Sequence, residues 1–212
     1  MSYLLRVVLP DRPGMLGAVA TALGETGADI LSLDVVERGP DGAVDDLLVE
    51  LPPGALVDRL ITAAQSVPGV VVESLRPYTG AADLHGDLEL VEALAASPNR
   101  ALQVLVDLTP GVFRAGWALL VAHGQVTSAS RGAPELRDVP VPALPQARTI
   151  GPREAWVPQQ WQLLGITLAA APLNAELVVL LGRTGGPVFR ASEVLRLGHL
   201  AGLTATVAGV GA

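Results

Sequence analysis

The sequence predicts an α+β fold in two units, each an antiparallel sheet with flanking helices, and three observations support this. Apolar residues switch between strand and helix periods over the first 78 positions, in the order strand, helix, strand, strand, helix, strand. A short segment of small residues and Pro/Gly, Pro77-Tyr78-Thr79-Gly80-Ala81-Ala82, then reads as a linker. The charge also changes there. Up to Gly80 the chain carries 11 acidic and 5 basic residues, a net of −6, and beyond it 10 acidic and 9 basic, a net of −1. The expected domains are residues 1–78 and 83–212.

In the first unit, Tyr3 to Leu9 reads as a strand ended by Pro10, which cannot donate a ladder hydrogen bond. Asp11-Arg12-Pro13-Gly14 then opens a helix, with Asp11 as its expected cap and Leu16, Val19, Ala20 and Leu23 on its apolar face until Gly27. Ile30 to Glu37 is the second strand, Gly39-Pro40-Asp41-Gly42 a turn, and Val44 to Leu51 the return strand, with Leu47, Val49 and Leu51 on one side. Leu56, Leu60 and Ala63 or Ala64 mark a second helix, and Val70 to Arg76 a last strand. The order βαββαβ in this length is the ferredoxin-like arrangement, an antiparallel sheet with both helices on one face.

Two segments of this unit, Asp11-Arg12-Pro13-Gly14-Met15-Leu16 and Gly27-Ala28-Asp29-Ile30-Leu31-Ser32-Leu33, resemble the ACT family, in which such a turn and such a strand start recur in this order. Asp29 stands where an asparagine is common. The resemblance implies an amino-acid-binding domain, with the ligand between the first turn of one copy and the second strand of another, and hence a homodimer. Its expected ligand-binding residues are Asp11, Arg12, Pro13, Gly14, Met15, Leu16, Asp29 and Ile30. The physics of the turn agrees: a helix N-terminus offers unpaired N–H groups and a partial positive charge to a carboxylate. Gly14 leaves room for a ligand backbone, and Asp11 or Asp29 is placed to accept from an amino group. The competing reading is that Asp11 only caps the helix and Gly14 only packs.

In the second unit, Asp83 to Ala96 and a terminal stretch from Ala191 to about Ala208 have helical spacing, and Arg100 to Leu108 is helical or extended. Ala115 to His123, Gln125 to Ser130, Leu163 to Ala171 and Glu176 to Gly182 are strand candidates. Between Gly132 and Pro158, prolines at 134, 140, 142, 145 and 152 predict a long irregular region without central strands. The segment Leu177 to Arg183, followed by Val188-Phe189-Arg190-Ala191-Ser192-Glu193, resembles the GAF family, in which a strand leads through a Phe-x-x-x-Glu turn into the closing helix. This implies a GAF-like sensor or dimerisation domain. Leu88, Val91, Leu94, Leu197, Leu200 and Leu203 are then core or interface. Trp117 is expected in the core, and Trp156 and Trp161 are expected to anchor the proline-rich loop or to line a pocket.

Composition narrows the function. There is no cysteine or lysine, and His85, His123 and His199 have no ligand spacing, so no metal site, thiolate or Schiff-base chemistry is expected. A net charge of −7 with 3% aromatic residues is a poor nucleic-acid surface. No apolar run reads as a membrane span and no signal peptide is evident, so a cytoplasmic location is expected. No phosphate loop or nucleophile elbow occurs. Asp45 and Asp46, adjacent on a strand, point to opposite faces. No catalytic residue and no cofactor is assigned. The expected function is a regulatory small-molecule sensor acting on a protein partner that the sequence does not identify. The alternatives are a dimerisation scaffold without a ligand and an enzyme with its site in the second domain.

Overall fold

A computed structural model describes residues 1–40, 42–78 and 86–211. Most of the expected linker, the start of the expected helix from Asp83, and Asp41 of the expected turn lie outside the described residues. The chain divides into two compact units, Met1–Leu84 and His85–Ala212.

The first unit runs β1 (Ser2–Leu9), α1 (Met15–Gly24), β2 (Asp29–Gly39), β3 (Gly42–Glu50), α2 (Asp58–Ser66) and β4 (Val71–Pro77). The sheet order is β2-β3-β1-β4, antiparallel throughout, as the βαββαβ pattern predicts. Pairing sets Tyr3 against Val49, Leu5 against Leu47 and Val7 against Asp45. The odd-numbered residues of β1 and β3 therefore share the face that packs against Met15, Val19 and Leu23 of α1 and Leu60 and Ala64 of α2. Leu5, Leu47 and Leu60 are fully buried in that core. Truncation of such a leucine to alanine costs about 2–5 kcal/mol.

The start of α1 differs from expectation. Asp11 does not cap the helix: it is exposed, and the cap position is Gly14, in the left-handed region at φ 89°, with no side-chain cap. Pro13 disfavours helical backbone at Arg12, so the chain turns before the helix begins. The Arg12 N–H donates to the Pro10 carbonyl at 2.8 Å, and the Met15 N–H to the Arg12 carbonyl at 3.3 Å. Gly42, at φ 128°, lets β3 start against β1. A Cβ there would lie 2.5 Å from the Leu9 carbonyl oxygen.

The second unit contains α3 (Gly86–Ala96), a 3-10 turn (Pro98–Arg100), α4 (Ala101–Val112), β5 (Trp117–Ala122), β6 (Gln125–Ala129), β7 (Arg148–Ile150), α5 (Gln159–Leu163), β8 (Ile166–Pro172), β9 (Leu177–Thr184) and α6 (Ala191–Ala208). The sheet order is β6-β5-β9-β8-β7, again antiparallel. Helices α3, α4 and α6 cover one face, with Leu90, Leu94, Leu105, Leu181, Leu197 and Leu200 among the buried contacts. The other face is covered by the proline-rich segment and α5, which bring Val139, Leu144, Ile150, Val157 and Trp161 onto Trp117, Leu119, Leu168 and Leu180.

Two expectations are corrected here. The region read as irregular contains β7, an edge strand whose three residues are held by pairing to β8 rather than by local pattern. Leu163 ends α5 and is exposed instead of starting a strand. Of the leucines expected in core or interface, Leu94, Leu197 and Leu200 are core, and Leu88 and Leu203 are exposed within a single copy.

The proline-rich segment is tied down by Glu154. Its carboxylate accepts from the Arg148 guanidinium at 2.7 and 2.8 Å, from the Gly151 N–H at 2.8 Å and from Trp156 Nε1 at 2.9 Å. The Arg148 hydrogen bond is the main cause holding this carboxyl down to about 2. The Phe-x-x-x-Glu turn also has a physical explanation. Glu193 accepts from the Arg190 N–H at 2.8 Å, capping α6, and pairs at 2.7 Å with the fully buried Arg183. Arg183 also donates to the carbonyls of Phe113 and Pro187, and its guanidinium lies 4.0 Å from the centre of the Phe189 ring.

Candidate ligand site at the first helix turn

Leu9 ends β1 at the edge of the core, and the turn Asp11-Arg12-Pro13-Gly14 stands exposed above it. Met15 points into the core and Leu16 is half-buried, so these two anchor the turn rather than face solvent. No acidic residue occupies the first turn of α1 and no side chain caps it. The positive end of this helix is thus open to an external anion. A Cβ on Gly14 would meet nothing within 4 Å, so its left-handed backbone, not crowding, requires glycine.

The floor of this corner is Asp45. Its strand position opposite Val7 and Val35 puts it on the helix-bearing face, at the end where β1 gives way to the turn. It is 3% exposed, and its buried Oδ1 has no hydrogen-bond partner among the described residues. Burial pushes its carboxyl above the usual range, Arg38 on β2 pulls it down, and Asp11 and Asp46 push it up. Asp46, on the opposite face as expected, is instead held by the buried Arg6 in a two-pronged ion pair of 2.7 and 2.8 Å.

The structure does not gather all the predicted residues. Asp11 to Leu16 stand together, but Asp29 and Ile30 begin β2 at the far end of the sheet, where Asp29 pairs with Glu50 and Glu50 with Ser2. The length of β1 separates the two groups, about 23 Å at about 3.3 Å per residue. Sequence reasoning missed Asp45 and Arg38 as neighbours of the turn. The available signal was an aspartate in phase with Leu47, Val49 and Leu51.

Elsewhere, a cleft of about 550 Å³ lies between the start of α4, β6 and the end of α6, lined in part by Asn99, Arg100, Gln103 and Thr127. Among the described residues no group of three His, Asp or Glu side chains is placed to hold a metal ion, and no helix is long and apolar enough to cross a membrane.

Comparison with known proteins bears on the first unit. The chain is 29% identical over 110 residues to NAD-dependent malic enzyme 1 of Bacillus subtilis (strain 168), a match over 51% of this chain and 24% of that protein. The chain therefore spans about a quarter of the length of this relative. Among solved structures, the regulatory subunit of aspartate kinase from Thermus flavus matches 96% of this chain and 92% of its own, at 12% identity and a TM-score of 0.33. A GAF domain from Pseudomonas syringae pv. tomato matches 57% and 86%, at 13% identity and a TM-score of 0.39. At these scores neither likeness bears on function. The family model for the ACT domain matches residues 3–71, which cover the strands and helices around the turn.

Proposed function

We propose that the chain is a non-catalytic regulatory sensor, a homodimer whose first unit binds an amino acid between two copies. One observation carries the reading: the turn Asp11–Leu16 and the strand start Asp29–Ile30 stand at opposite ends of one sheet. A single ligand touches both only if a second copy brings its own Asp29 and Ile30 to the first copy's helix end. β2 is an edge strand, open to pairing, and a two-fold relation forms two equivalent sites. In this reading the α1 N–H groups hold the ligand carboxylate, and binding shifts the relation between protomers for a downstream protein to read. The second unit serves dimerisation. Trp117 and Trp161, with rings 5.0 Å apart, fill the loop-covered face of its sheet, which favours that role over a second sensor there.

The test begins with a thermal-shift screen of the full chain against the twenty amino acids, since a ligand selective for the native state raises its apparent stability. Light scattering should show a dimer of the 21.8 kDa chain at micromolar concentration. Gly14→Glu and Asp29→Arg variants should each lose binding of the amino acid found. Refolded together, they should recover about a quarter of the sites, because each mixed dimer has one intact site. A monomer throughout that range, or no recovery on mixing, refutes the shared site. A dimer that no amino acid stabilises supports the scaffold alternative.

A further inference from the structure

β3 is buried from Ala43 to Val49, and on its helix-bearing face the run Ala43, Asp45, Leu47, Val49 sets a carboxylate where the strand period asks for an apolar side chain. A buried carboxylate is costly unless it is paired and hydrogen-bonded. The neighbouring Asp46 meets that condition through Arg6, but Asp45 does not, since its Oδ1 has no donor among the described residues. The groups acting on it through space are Arg38 from β2, Asp11 from the turn and Asp46 from the other face. β1 offers Val7, and the first turn of α1 offers no acidic residue. Val35, the residue of edge strand β2 paired with Asp45, is 46% exposed, so Asp45 lies one strand in from the solvent-facing edge.

Two poles therefore share one end of the sheet: a helix start without a capping side chain, and a buried carboxylate oxygen without a donor among the described residues. We infer that Asp45 is the acceptor for the ligand's ammonium group, beside the helix end that takes its carboxylate, so that the site selects a zwitterion. This role rests on the amino-acid reading above and falls to a residue outside the two family segments. Asp11, exposed in the turn, adds negative potential to the cationic end of the ligand. Arg38 offsets part of the carboxylate charge.

Calorimetry on the full chain tests this with matched probes that differ only in the ammonium group: L-alanine and L-lactate, L-leucine and L-2-hydroxyisocaproate, L-phenylalanine and L-3-phenyllactate. The wild type should bind the amino acid of at least one pair about tenfold or more tighter than its hydroxy acid. Asp45→Asn should weaken the amino acid about 10- to 100-fold and leave the hydroxy acid unchanged, so that discrimination disappears. Circular dichroism confirms folding, and Asp45→Ser should lose discrimination in the same way should the amide fail to pack. A folded Asp45 variant that discriminates as the wild type does overturns the inference while the shared site stands. If the wild type binds none of the twenty amino acids, both fall.

Discussion

Glu193→Ala should destabilise the second unit by about 3–5 kcal/mol, and the size follows from what its carboxylate holds. Arg183 is fully buried, and its charge is met by Glu193 at 2.7 Å, with the carbonyls of Phe113 and Pro187 as further acceptors. Removing one partner of a buried pair strands the other charge, at about 3–5 kcal/mol. The same carboxylate caps α6 through the Arg190 N–H, a contact of about 1 kcal/mol that does not simply add, because both losses fall on one group. Urea denaturation of the full chain, followed by tryptophan fluorescence, measures the change, since Trp117, Trp156 and Trp161 all lie in this unit. Glu193→Gln keeps an oxygen for the Arg190 N–H but removes the charge, and it should recover only the cap. The double variant Arg183→Met, Glu193→Leu should be closer to the wild type than Glu193→Ala is, because neither charge remains buried alone. A loss below about 1 kcal/mol for Glu193→Ala, or a double variant no better than the single, would refute the reasoning.

Two further outcomes concern the candidate site. The folded state holds the Asp45 proton more tightly than the unfolded chain does, so this group's contribution to stability is fully present below about pH 4 and is lost as pH rises through the raised folded value. Asp45→Leu should therefore be about 1–3 kcal/mol more stable than the wild type at pH 7, with the gain shrinking toward about pH 4; a denaturation series across that range showing a constant or negative difference contradicts the assignment. Gly14→Ala should cost about 1–2 kcal/mol through its left-handed backbone alone, since space around it is open, and a loss of about 4 kcal/mol in urea would show that packing is involved instead.

Period and turn chemistry made most of the fold legible. The inward phase of Leu47, Val49 and Leu51, the spacing of Val194, Leu197, Leu200 and Ala201, and the Pro172–Asn174 reversal between β8 and β9 are all local signals that the structure follows. Features set by distant partners were not legible. β7 exists because Arg148–Ile150 pairs with Leu168–Ala170, and three residues carry too little pattern to announce a strand. The cap expected at Asp11 loses to a competing local rule, because Pro13 restricts Arg12 more strongly than an aspartate favours a cap. At the site, the turn was legible as a motif, but the separation of Asp29 from Asp11 depends on strand length and pairing. Along the sequence Asp45 stands out only as an aspartate in phase with Leu47, Val49 and Leu51, and its relation to Asp11 and Arg38 needs the register of three strands.

The chain treats its other buried carboxylates differently, and the contrast singles out Asp45. α6 has a carboxylate at its first turn and a hydrogen bond to its cap N–H, whereas α1 has neither. Asp46 and Glu193, both buried, each face an arginine at 2.7 Å, whereas the equally buried Asp45 leaves an oxygen without a donor among the described residues. An uncapped helix start, which α1 shares with α4 and α5, costs about 0.5–2 kcal/mol, and an unsatisfied buried polar group costs about 1–3 kcal/mol, a cost that the carboxylates of Asp46 and Glu193 avoid through their arginines. Local rules broken together at one place, around a glycine that the backbone requires, are what the proposed ligand site would produce. A carboxylate and an ammonium group on one small molecule would remove both costs at once, which is why the site is read as one for a zwitterion and not for a simple anion.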